Sequence, residues 1–413
     1  EVSTGVWKLV IKNNVSVRQH VIDLFSQCLA TSSFPSAWKT SVIVPLIKDT
    51  KKDRTMSNIR PISLQSCLGK LFMKALAHRL SNIFQQHPVL NSAQRGFIQG
   101  GTTMKCIDEL MDVWDWSREK KKELYTIFYD IKQAYDSVQT DVLARAMRRI
   151  HLPESFIRLV AESLTGLSSC IRTVYGLTRR FPVLRSLRQG DPLAPLLFII
   201  IVDALHDGLE LNPFTGLKHG AKLQFDTGDH EEVEIASLGY ADDTTLLANT
   251  LADLYAQNEW VKFFMSFNRL RLNALKCELV GRDVNGDPIS DLAVSFHRIT
   301  IDGHVMKPIP HDRPIRYLGV HLRFDGSWSE QQQKALSMIM IFTRLASKFS
   351  LPIKSIVYMF NVFLLTRLEI SLHYVHGPRT SRWIRNCDRL LIGAIKHAAS
   401  SLLLLSYSAV AVI

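Results

Sequence analysis

Clustered cysteine is missing from this chain. Its six cysteines, at 28, 67, 106, 170, 277 and 387, stand apart, with no Cys-x-x-Cys pair and no Cys/His group. Neither a zinc site nor a disulfide framework is indicated, and reduced, intracellular thiols are the expectation. A basic-then-apolar-then-small opening is also missing, so no signal peptide is expected; the chain does not begin with Met and reads as a fragment. Its strongest apolar run, Ser400 to Ile413, is shorter than the ~20 residues a spanning helix needs, and reads as a packed or truncated helix rather than a membrane anchor. Internal repeats and low-complexity blocks are absent. Acidic residues are in short supply, 38 against 50 Lys and Arg, which leaves a formal charge of +12 and a pI near 9.4. Such a balance suits a polyanion, either nucleic acid or an anionic membrane surface, without choosing between them.

What is present is a globular composition. With 46% hydrophobic residues over 413 positions, the chain can bury a substantial core in one large or two to three medium domains. Helical spacing of Val17, Val21, Leu24, Phe25, Cys28 and Leu29 predicts a helix over 15–30, closed by the Ser/Thr/Pro patch at 31–36. A strand is expected over 41–47, then a basic loop carrying Lys48, Lys51, Lys52 and Arg54, an Arg60-Pro61-Ile62 step, and a helix to about Ile83. Leu124 to Tyr129 is apolar and β-prone on both faces, so it reads as a central buried strand delivering Asp130 at its end. Helices are expected over 110–123, 141–150, 154–164, 196–209 and 251–270, and a hairpin over 171–184. The runs 232–239 and 244–248 read as strands, with a further strand near Leu279 and one over 315–322. Beyond about residue 325 the pattern is helical, and strands mixed with helices argue an α+β class.

Two adjacent carboxylates, Asp242-Asp243, fall between strand-like runs, at the tip of the expected hairpin. Like charges this close need solvent, hydrogen bonds or a cation, and hard oxygen ligands without His or Cys suit Mg²⁺. Asp130, at its own strand end, either caps the next helix or joins that pair to bracket divalent ions, as in-line phosphoryl transfer requires.

Asp130 with Tyr135 resembles motif A of reverse transcriptases. Arg188-Gln189-Gly190-Asp191-Pro192-Leu193 with Pro195 resembles their motif B in its non-LTR (LINE-type) retrotransposon form. Tyr240-Ala241-Asp242-Asp243 resembles motif C, Leu272-Asn273 with Lys276 motif D, and Tyr317-Leu318-Gly319-Val320 the primer-grip motif E. Upstream, 43–48, Arg60-Pro61-Ile62-Ser63-Leu64 and Gln94-Arg95-Gly96-Phe97 look like the fingers motifs, in order over about residues 38–325.

The resemblance implies a right-hand polymerase with fingers, an antiparallel-sheet palm and a helical thumb. The expected divisions are an N-terminal helical extension over 1–36, fingers and palm over 37–322, and a truncated helical thumb over 323–413. It implies RNA-directed DNA synthesis from a 3′-hydroxyl primer with dNTPs and two Mg²⁺ or Mn²⁺ ions held by Asp130, Asp242 and Asp243, with Lys276 protonating the leaving pyrophosphate. Lys48 and Arg60 grip the triphosphate; Ile131, Gln189 and Gly190 line the nucleotide and template; Tyr135 crowds the ribose 2′ position. The implied partners are an RNA template, a DNA primer and dNTPs, with no membrane, in a nuclear or cytoplasmic ribonucleoprotein. A viral RNA-dependent RNA polymerase has a second Asp five residues after the first, where this chain has Tyr135 and places Asp136 one later. Group II intron maturases usually read Pro-Gln-Gly where this chain has Arg188-Gln189-Gly190. A non-enzymatic RNA-binding product of a decayed element also stays open.

Overall fold

The computed structural model describes residues 3–48, 53, 55, 58–185, 187–224, 232–348, 352–374, 383, 385–390 and 392–393. Lys51, Lys52 and Arg54 of the basic loop, and the apolar run 400–413, lie outside the described residues. Two compact units divide the chain, residues 1–308 and 309–413.

The first unit opens with helices α1 (Thr4–Asn13) and α2 (Val15–Thr31) and strands β1 (Thr40–Ile47) and β2 (Ile59–Gln65). Helices α3 (Cys67–Gln86) and α4 (Thr103–Lys120) lead into β3 (Leu124–Tyr129). After it come α5 (Ala134–Ser137), α6 (Thr140–Arg149) and α7 (Glu154–Leu164), then β4 (Leu167–Thr173), β5 (Gly176–Leu177) and β6 (Phe181–Val183). The unit closes with α8 (Ala194–Glu210), β7 (Ala221–Gln224), β8 (Glu232–Ile235), β9 (Ser237–Tyr240), β10 (Asp243–Ala248), α9 (Leu251–Phe267), β11 (Glu278–Arg282), and a short helix and hairpin within 291–305.

Two sheets organise this unit. The antiparallel order β11-β3-β10-β9 places β3 between two neighbours, and every residue of β3 is buried, as its unbroken apolar pattern required. The polar atoms it buries are paired: Trp114 donates to Thr126 at 3.0 Å and Tyr129 to Asn258 at 2.6 Å. The core gathers about α8, whose sequence from Leu196 to Val202 is apolar all round and buried all round. The second sheet runs β2-β1-β4-β5, with β6 also on β4.

Three expectations are corrected. The Arg60-Pro61-Ile62 step is part of a strand, which Pro61 tolerates because β2 is an edge strand and loses no ladder bond on its outer side. The run 232–239 is two strands: Glu232–Ile235 pairs with β7, while Ser237–Tyr240 pairs with β10. The run 315–322 is a hairpin, Ile315–Tyr317 with Val320–Leu322, turned by Leu318 at φ 46° and Gly319 at φ 91°.

The second unit holds that hairpin and the helical segments Ser329–Lys348, Ile353–Met359 and Thr366–Tyr374, the last two joined by a π-helical stretch. Ala335, Ile339, Leu364 and Leu368 pack together as its core.

Candidate catalytic and nucleotide site

Register brings the acids together. Tyr129 faces Thr244 across β3 and β10, so Asp130 and the Asp242-Asp243 turn leave neighbouring strands at the same end of the sheet. Asp243 is paired with Tyr240 and exposed, whereas Ala241 is buried and Asp242 half-buried, so the two adjacent aspartates occupy different environments. Asp130 does not cap a helix: the residue preceding α5 is Gln133, in the left-handed region at φ 50°. Asp130 instead accepts from Asn273 Nδ2 at 3.0 Å, and Lys276 Nζ stands 3.2 and 3.3 Å from its two oxygens.

The Asp242 carboxyl is pushed above the usual carboxylate range, first by burial. A hydrogen bond from its own backbone amide pulls it down, the negative charge of Asp130 pushes it up, and Arg60 and Lys276 pull it down again. Four charged groups from distant stretches of chain thus act on one another at this point. A half-buried carboxylate in the field of a second carboxylate is a donor set a hard divalent cation can take, completing its shell with water and phosphate oxygens. No group of three His, Cys, Asp or Glu side chains among the described residues forms a ready metal cage. The fit therefore rests on the pair Asp130 and Asp242, with Asp243 exposed beside them.

The turn that presents Asp242 is held from behind by Gln94. This buried side chain accepts from the amides of Ala241 at 2.9 Å and Gly96 at 2.8 Å, and donates to the Ala241 carbonyl at 3.3 Å. Ala241 sits at φ 58°, a conformation costing about 1–3 kcal/mol for a non-glycine residue, and these bonds help to offset it. Arg95 N donates to Gly239 O at 2.7 Å and Gly239 N to Ala93 O at 2.9 Å, so the segment before Gly96 meets β9 in an isolated parallel bridge at Gln94 and Gly239. A Cβ on Gly96 would lie 2.4 Å from the Ala241 amide nitrogen. Gly96→Ala is therefore expected to displace the turn and lower stability by about 1–3 kcal/mol, the cost of overpacking, in a chemical denaturation titration. An unchanged midpoint would refute this support.

On the second sheet, Arg60 faces Leu46 across β1 and β2, two positions from Lys48, whose amide donates to Asn58 O at 2.8 Å. Both side chains are exposed. Ser63, further along β2, donates its amide to Gln189 O at 3.0 Å, docking the Gln189-Gly190 turn on the strand that carries Arg60. Gly190 takes φ 104°, and a Cβ there would lie 3.3 Å from Ser63 O, so both conformation and space favour glycine. Arg188 beside it is buried, donating to Trp38 O at 3.1 Å and facing Asp191 at 3.9 Å.

Tyr135 is half-buried, its ring stacked on Phe198 at 5.2 Å and 21°. Burial, then the charge of Asp242, raise its phenol well above the ordinary value, so the hydroxyl stays neutral. Ile131 is buried and bridged to Leu272. The sequence motifs contain both Gln94 and Asn273 but say nothing of what their amides do; the hold of Gln94 on the Ala241 turn and of Asn273 on Asp130 is set by tertiary packing.

Residues 49–322 match the family described as reverse transcriptase (RNA-dependent DNA polymerase). The chain is 28% identical over 296 residues to a retrovirus-related Pol polyprotein of the R2 retrotransposable element of Popillia japonica, covering 71% of this chain and 39% of that protein. It is 25% identical over 313 residues to the RNA-directed DNA polymerase of the mobile element jockey of Drosophila melanogaster, covering 72% and 30% respectively. The chain thus spans less than two fifths of these relatives' length. Among solved structures, a telomerase from Candida albicans, determined with a fragment of telomeric RNA, aligns over 91% of this chain and 63% of its own at 11% identity and a TM-score of 0.44.

Proposed function

The chain belongs to the reverse transcriptase family, and from that premise we propose that it is the RNA-directed DNA polymerase portion of a non-LTR retrotransposon protein, extending a 3′-hydroxyl primer with dNTPs on an RNA template. The observation that carries this reading is the convergence of Asp130 and Asp242 at one sheet end, with Arg60 and Lys276 close enough to offset their charge. Fingers and palm fall in 37–322 and the thumb in 323–413.

Asp130 and Asp242 would hold Mg²⁺ or Mn²⁺, with Asp243 beside them as a third oxygen donor; two such ions would stabilise the attacking 3′ oxygen and the charge on the departing pyrophosphate. Arg60 and Lys48 reach the triphosphate, Arg as a planar fork and Lys as a point charge. Gln189 and Gly190, docked on the same strand as Arg60, and Ile131 beside Asp130, form the walls for nucleotide and template. Lys276 is paired with Asp130 at 3.2 Å, and engagement of that carboxylate elsewhere frees the ammonium to give its proton to the leaving pyrophosphate. Tyr135 fills the space a ribose 2′-hydroxyl would need. No helix among the described residues is long and apolar enough to cross a membrane, and we place the site of action in a nuclear or cytoplasmic ribonucleoprotein.

Purified chain given a DNA primer annealed to RNA, dNTPs and Mg²⁺ or Mn²⁺ should lengthen the primer, and no extension with either ion would sink the reading. Binding to that duplex should weaken linearly in log–log form as salt rises, because lysine and arginine contacts release phosphate counterions. A salt-independent affinity would remove the basic surface from the template path.

A further inference from the structure

The five strands of the β2-β1-β4-β5/β6 sheet contain no acidic residue, and neither does the whole stretch 163–190, which carries Arg172, Arg179, Arg180, Arg185 and Arg188. Arg188 is buried and used in the fold. The other four are exposed, and none forms an ion pair among the described residues. Elsewhere arginines find carboxylates: Arg95 with Glu109, Arg148 with Glu154, Arg149 with Asp203 and Asp207. Guanidinium groups without an acid partner are available to an external anion.

The hairpin between them is ordered by its own bonds. Arg172 pairs with Leu177 and Thr173 with Gly176, the Thr173 hydroxyl donates to Gly176 O at 2.8 Å, and Tyr175 N donates back to it at 3.2 Å. That tight turn holds Val174 and Tyr175 outward at 92% and 98% exposure, with the tyrosine ring open to solvent. Direction matters too. β4 runs parallel to β1 with Ile171 level with Ile43, so the hairpin tip projects from the end of the sheet at which β1 reaches Lys48 and β2 presents Arg60. Two strand spacings, roughly 10 Å, separate β2 from β4, about the span of two nucleotides of an extended strand.

We propose that the hairpin 172–180 is a binding site for single-stranded RNA, Arg172, Arg179 and Arg180 taking the phosphates and Tyr175 stacking on an unpaired base. Arginine for phosphate and an exposed ring for a base are the two parts sequence-independent single-strand binding needs. The inference rests on the polymerase reading only for the identity of the strand, the unpaired template ahead of the copied position.

Binding of a fluorescently labelled unstructured RNA, without nucleotides, separates this site from the polymerase reading, since it needs no catalysis. Tyr175→Ala is expected to weaken single-stranded RNA binding about tenfold, the worth of one stacked base, and to leave blunt RNA–DNA duplex binding within about twofold. Combined Arg172→Gln, Arg179→Gln and Arg180→Gln should flatten the salt dependence by about two in log–log slope, near 0.7 for each phosphate no longer neutralised. Circular dichroism and the unfolding midpoint, expected unchanged for these exposed positions, exclude misfolding as the cause. Wild-type single-strand affinity and slope in both variants would overturn the site while leaving the polymerase reading intact. An equal loss on blunt duplex would overturn it as well, by making the hairpin a general phosphate clamp.

Discussion

Asp242→Asn is expected to remove primer extension, by on the order of 10²- to 10³-fold or more, while RNA binding and folding persist. The substitution keeps the shape of the side chain and takes away its charge. A preorganised charge where the reaction develops charge is worth that much in rate. Folding should be unharmed or improved, because the Asp242 carboxylate is opposed by burial and by Asp130, so a neutral amide relieves a repulsion. Gln94 and the Ala241 backbone bonds that shape the turn do not involve the altered group. Single-turnover extension alongside RNA binding and thermal unfolding reads all three quantities. An Asp242→Asn protein that extended like wild type would remove this residue from the metal site.

Tyr135→Val is expected to admit ribonucleotides about 10- to 100-fold better relative to dNTPs, the range a single steric contact in a pocket commands. The ring is fixed by stacking on Phe198 and stands in the field of Asp242, so it cannot swing aside without losing the stack. Discrimination by a fixed wall is a clash built against the wrong substrate rather than a contact made to the right one. Tyr135→Phe keeps the wall and should keep the preference. Competition between rNTP and dNTP at one template position measures the ratio, and an unchanged ratio in the valine variant would take Tyr135 out of the gate.

How much of the fold is legible in the sequence depends on how local the cause is. Leu124 to Tyr129 reads as a central strand because all six residues are apolar or β-prone, and all six are buried. The helix 154–164 begins after Pro153 and ends where expected, since its limits are written in neighbouring residues. Pro61 misleads, because proline suggests a break, and only the edge position of β2 makes it harmless. The split of 232–239 is invisible for a related reason: the carbonyl of Ala236 is taken by the Leu247 amide and by Gln257, partners far away in sequence.

The site divides in the same way. Carboxylates at strand ends are visible as strand ends. That Arg60, 182 positions before Asp242, shares its electrostatic field is a fact of tertiary packing, as is Gln94 behind the turn. The hairpin of 171–184 is legible as a hairpin, and the lack of acids over 163–190 is plain in the sequence, but the exposure of Tyr175 belongs to the folded sheet.

DNA synthesis on an RNA template at the Asp130 and Asp242 site is tested most directly by running wild-type and Asp242→Asn chain on one RNA template with one primer, supplying dNTPs in one reaction and rNTPs in the other. The expected result is a ladder of extended primer from the wild type with dNTPs, little with rNTPs, and none from the variant. Extension by both proteins, or extension by the wild type with rNTPs alone, would contradict it.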